Sequence, residues 1–146
     1  MCLRLSHPSA DPASWTEAIG LPADVCERLG EPRIRGRNGK AYGTAKVSFW
    51  THPFPPPCES LAFEDHLEAI VGMLRDRGDF LSKLVEDGGD AELFIGYFLE
   101  RGNTGFALPA RLQRDLAALN LDLVFDIYDW TKDDATVAVL EAVHTP

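Results

Sequence analysis

Cysteine is scarce in this chain. Its 146 residues hold three, Cys2, Cys26 and Cys58, with no C-x-x-C pair, which argues against a disulfide framework and the common structural zinc patterns. Long apolar runs are missing as well: nothing approaches the roughly 18 residues that a membrane-crossing helix needs. The opening segment Met1–His7 offers one Arg and two Leu before Pro8, too little for a signal peptide. The expectation is therefore a soluble cytoplasmic protein with no membrane partner. With 45% hydrophobic and 25% charged residues, the composition is that of an ordinary globular protein and excludes wholesale disorder. The length suits one domain over residues 1–146 with a single core, residues 131–146 reading as an atypical C-terminal extension.

What is there is acid, unevenly placed. The net charge is −9. Residues 1–58 carry 7 basic and 5 acidic residues, while residues 59–146 carry 7 basic and 18 acidic. Within the first part, residues 32–58 contain Arg33, Arg35, Arg37, Lys40 and Lys46 but no Asp or Glu. Nucleic acid is not an expected partner, because the net field repels phosphate.

Periodicity supplies the elements. Cys2–His7 alternates as a strand, with Leu3 and Leu5 on one face. Asp11-Pro12 opens a helix, the Asp as N-cap and the Pro in the first turn, and Gly20 stops it. A second short helix is expected over residues 22–29. Asn38-Gly39 signals a hairpin, followed by a strand over residues 44–51. Residues 61–75 form the clearest helix, with Phe63, Leu67, Ile70, Val71 and Leu74 on one stripe and Ser60 as cap. The stripe continues past Gly78 through Leu81 and Leu84. Residues 91–99 are almost continuously apolar, the pattern of a strand covered on both faces. A short strand over 106–108, a helix over 109–119 stopped by Asn120, and a strand over 121–128 follow. Residues 134–143 lean to helix. Mixed elements of this order predict an α+β fold, a ferredoxin-like or enlarged ferredoxin-like sandwich with a mixed or antiparallel sheet and helices mainly on one face. The matching runs AIGL (18–21) and ALNL (118–121) hint at an internal duplication.

Several segments resemble a bacterial domain-of-unknown-function family, number 4279. They are VSFW (47–50), LAFEDHLEAIVGML (61–74) and GFALPARLQRDLAALNLDLVFDIY (105–128), the last ending in its most specific part. The resemblance covers most of residues 1–130. It implies one α+β domain and brings no established activity or catalytic residues.

The chemistry-bearing patterns are weak. His52, Cys58 and His66 stand in H-x5-C-x7-H, which fits no common zinc spacing, so no metal and no cofactor are expected. No nucleophile elbow is present. Gly39-Lys40 fails as a P-loop, since Ile34 and Ala41 occupy the places of its first Gly and its Ser/Thr. No catalytic residue is assigned, and the enzyme question stays open, leaning to no. Asp122 and Asp126 lie about 13 Å apart on one strand face at roughly 3.3 Å per residue, too far to share a proton. Asp126 and Tyr128 are close enough to line one groove. The preferred reading is a non-catalytic protein-binding module, with toxin-neutralising immunity proteins as an analogy of size and acidity. Its partner would be a protein with a basic surface or a second copy of the chain. The alternative is a small-ligand or anion-binding domain, or a small enzyme, with a pocket between the basic hairpin 33–46 and the strand 121–128. The candidate contact residues are Arg35, Arg37, Lys40, Trp50, Asp126 and Tyr128.

Overall fold

The computed structural model describes residues 1–35, 40–57, 61–99 and 105–129. The first strand, β1 (Cys2–His7), buries Leu3, Leu5 and His7 and leaves Cys2, Arg4 and Ser6 half-buried on the other side. A 3-10 turn (Pro12–Ser14) leads into α1 (Trp15–Ile19), and the Asp11 carboxylate accepts from the Ala13 amide at 3.1 Å, satisfying a donor the helix cannot. Gly20 ends α1 at φ 72°. Residues 22–29 are not a helix. They carry a three-residue strand, β2 (Val25–Glu27), because pairing of Val25 with Thr51, Cys26 with Trp50 and Glu27 with Phe49 outweighs local helix preference.

Strands β3 (Pro32–Arg35) and β4 (Lys40–Thr44) form a separate antiparallel hairpin, with Arg35 opposite Lys40. Its Asn38-Gly39 turn lies outside the described residues. The strand expected over 44–51 is divided. Ala45 bonds back to Glu31 and Gly30, closing the hairpin base, and β5 (Ser48–Pro53) then enters the main sheet.

Helix α2 (Phe63–Leu74) starts with Ala62 at its cap and no side-chain cap bond; the expected cap, Ser60, lies outside the described residues. Helix α3 (Gly78–Glu86) follows after a 3-10 turn, then β6 (Asp90–Leu99), α4 (Ala110–Ala118) and β7 (Asp122–Asp129). Residues 106–108 form no strand. Phe106 packs on Phe63 with ring centroids 4.6 Å apart, and the Ala107 amide donates to Glu64 at 2.8 Å, so side-chain contacts to α2 hold this segment instead of a ladder. Asn120 stops α4 at φ 50°, as Gly20 stops α1. The AIGL and ALNL runs thus share a left-handed helix stop, without a matching strand before the second. The ambiguous segment 134–143 lies outside the described residues.

The fold is α+β. Its mixed five-stranded sheet has the order β2-β5-β1-β6-β7, antiparallel throughout except for the parallel β6–β7 pair. The helices bury Leu67, Ile70, Leu74, Leu81, Leu112 and Leu116 against Leu3, Leu5, Trp50 and Leu93 of the sheet. Trp50 is fully buried and donates its indole N–H to Thr16 of α1 at 3.0 Å. His7 fastens the end of β1: its Nδ1 accepts from the Ser9 and Ala10 amides, and its Nε2 donates to the Asp87 carbonyl at 3.0 Å. That geometry requires the neutral ring with the proton on Nε2.

Two tests follow from this packing. Trp50→Ala is expected to cost about 3–5 kcal/mol in urea unfolding, the usual range for emptying a core aromatic site. The bond from the Ala107 amide holds the Glu64 carboxyl below its ordinary pKa. Its contribution is present above the unfolded-state carboxylate pKa and is lost as pH falls through the lowered one. Stability measured from neutral to acid pH should therefore decline less steeply in Glu64→Gln than in the unaltered chain.

Candidate functional site

Helices cover one face of the sheet. On the other face, strand alternation places Glu27 of β2, Phe49 and Thr51 of β5, and Cys2, Arg4 and Ser6 of β1. It adds Glu92, Phe94 and Phe98 of β6 with Asp122, Asp126 and Tyr128 of β7. Among the described residues, the strand over 90–99 is therefore covered on one face only. Ala91, Leu93 and Ile95 are buried, whereas Phe98 is 54% exposed. The apolar residues on its far side find partners within the face. Arg4 sits with its guanidinium carbon 3.3 Å from the centroid of the Phe94 ring, a cation–π contact. Phe98 and Tyr128 stack at 4.9 Å with planes 14° apart. Gly96 lies beneath the pair. A β-carbon there would lie 3.8 Å from the Phe98 ring and 3.9 Å from the Tyr128 ring, in ordinary van der Waals contact with both.

The hairpin base narrows the opposite end of this face into a cleft of about 580 Å³. Arg4, Phe49 and Thr51 form its floor, and Arg33, Ala45 and Lys46 form one wall. Arg33 is paired with Glu27 at 2.8 Å. Cys2 also lines the cleft, and burial pushes its thiol above the ordinary value despite the nearby Arg4. A thiol so held is mostly protonated at neutral pH and is a poor nucleophile.

The residues singled out from the sequence fall into separate places. Trp50 belongs to the core under the helices. Arg35 and Lys40 face each other across the hairpin through their backbones; their side chains, and Arg37 altogether, lie outside the described residues. Asp126 and Tyr128 do share a face, and the Tyr128 hydroxyl donates to the Asp126 carboxylate. They stand on β7 at one edge of the sheet, while the hairpin adjoins the β2–β5 edge, and no residue of β7 lines the cleft. Sequence reasoning passed over Arg4, Phe94 and Phe98. The alternation of Leu3 and Leu5 with Arg4 already turns Arg4 away from the core, but its neighbour Phe94 becomes visible only once β1 and β6 pair. Of the H-x5-C-x7-H residues, His52 donates from Nδ1 to the Pro22 carbonyl at 2.8 Å. His66 is buried with its Nε2 unpartnered, and Cys58 lies outside the described residues. Among the described residues, no group of three or more His, Cys, Asp or Glu is placed to hold a metal ion. No helix there is long and apolar enough to cross a membrane.

The family described as Domain of unknown function (DUF4279) matches residues 1–130. The chain belongs to that family. No curated protein and no solved structure matches it. The DUF4279 match runs from before β1 to just past β7, so the helix-covered face, the open face and the cleft all lie within the family's domain.

Bonding to Asp126 chiefly, with partial desolvation and the carboxylate's charge adding to it, holds the Tyr128 phenol above its ordinary pKa. The bond persists while the phenol keeps its proton and is lost as pH rises through the raised value. In an alkaline absorbance titration, Asp126→Asn should bring one tyrosine's ionisation back down.

Proposed function

We propose that this DUF4279 chain is a non-catalytic protein-binding module acting in the cytoplasm, comparable to immunity proteins in size and acidity. The observation that carries the reading is the sheet face that has no second layer among the described residues. A stacked Phe98–Tyr128 pair and an Arg4–Phe94 pair lie across it, with carboxylates around them. Aromatic residues and Arg are the side chains enriched at protein interfaces, and a monomer gains nothing in solubility by exposing them together. Glu92, Asp122 and Asp126 border the aromatic pairs and favour a partner with basic groups, drawn in by the excess of acid in residues 59–146. A symmetric pairing of two copies along β7 would set like charges against each other, which favours a different protein as partner. The free Cys2 and Cys26 thiols accord with a reducing compartment.

The strand order supports an enlarged ferredoxin-like sandwich. Strands β2, β5, β1 and β6 lie side by side, each antiparallel to its neighbours, and α4 adds β7 as a fifth, parallel strand. In such a sandwich the face away from the helices is the natural one for contacts.

The test is affinity capture from the native cytoplasm with the unaltered chain and with a Phe98→Ser/Tyr128→Ser double variant. Both side chains are largely exposed, so the variant should unfold in urea within about 1 kcal/mol of the unaltered chain. A partner with a basic surface should be retained by the unaltered chain at low salt, released by added salt, and missed by the variant. An identical catch by both chains, or none at low salt, would contradict the reading.

A further inference from the structure

The cleft beside the hairpin has a charge balance of its own and shares only Arg4 with the Phe98–Tyr128 docking face. Arg33 and Glu27 face each other at 2.8 Å and cancel. Among the described residues, Arg4 and Lys46 form no ion pair, and the remaining acid of the cleft is Asp24. The residues lining the cavity therefore sum to one net positive charge, with Arg4 among them. The guanidinium carbon of Arg4 rests 3.3 Å from the centroid of the Phe94 ring, and a planar donor fork of this kind fits a carboxylate in two parallel bonds. Phe49, Val25 and Val47 give the same cavity an apolar lining. Its volume of about 580 Å³ lies within the range of small-molecule sites.

We propose that this cleft binds an organic monocarboxylate with an apolar body, the carboxylate on Arg4 and Lys46 and the body against Phe49. A dianion such as a phosphate monoester is disfavoured, since Asp24 leaves only one positive charge to meet it. The carboxylate could be that of a small acid or of a peptide C-terminus, which offer the same chemistry.

The test is amide chemical-shift titration of the full chain with 3-phenylpropionate, its primary amide and its amine analogue at millimolar concentrations. The acid should perturb residues 4, 33, 46 and 49, and the amide and amine should leave them in place. Arg4→Gln should weaken binding of the acid about tenfold or more, as expected for loss of a charge-assisted bond. Lys46→Gln, at an exposed position, should weaken it in the same direction. Phe98→Ser, on the docking face, should leave it unchanged, which separates this site from the partner-binding reading. In a second arm, tighter binding of N-acetyl-glycyl-phenylalanine than of 3-phenylpropionate would assign the site to a chain terminus, and the reverse order to a small acid. The proposal is overturned by absence of any shift at these residues, by equal binding of acid and amide, or by full affinity in both charge variants.

Discussion

Leu3 and Leu5 are wholly removed from water, and the strand that carries them is paired along both edges, to β5 on one side and β6 on the other. That central position is the constraint on which the rest depends. Each buried leucine contributes on the order of 2–3 kcal/mol, and moving the strand by one residue would swap Leu3 and Leu5 for Arg4 and Ser6 against the helices. Register at β1 therefore sets register in the strands beside it. Trp50 is brought under α1 opposite Leu5, and Leu93 under the helices opposite Leu3. His7, with all its ring nitrogen positions satisfied, fastens the end of the strand to the turn after α3.

The same register places Arg4 on the far face, and with it whatever binding chemistry this molecule has. The guanidinium of Arg4 lies on Phe94, beside the cross-strand Glu92, and Arg4 also lines the cleft. Further along, Phe98 and Tyr128 stack above Gly96, and the Tyr128 hydroxyl is bonded to Asp126. One face of the sheet holds the molecule together. The other has no second layer among the described residues, and its two ends differ: a charged cleft toward the hairpin, an aromatic pair with acid beside it toward β7.

Local signals made much of this fold legible. Asp11-Pro12, Gly20 and Asn120 mark helix ends by backbone chemistry that needs no tertiary contact, and the apolar stripe of α2 reads directly from its spacing. What escaped was decided at a distance. Residues 25–27 became a strand because β5 was there to pair with them. Phe94 and Phe98 read as core because an apolar run does not reveal whether a second layer exists to cover it. The candidate site suffered most, since Arg4 and Phe94 are ninety residues apart in sequence and adjacent only across a strand pair. Asp126 and Tyr128 were found because two positions on one strand always share a face; Trp50 was assigned to a site because its burial under α1 depends on a helix thirty-odd residues earlier.

The central claim is that the sheet has one buried and one open face. Paramagnetic relaxation of ring protons by a soluble gadolinium chelate measures it most directly. The Phe98 and Tyr128 rings should relax strongly and Phe94 partly, while Trp50 stays protected. Protection of Phe98 and Tyr128 equal to that of Trp50 would mean that the face is already covered, and would contradict the account.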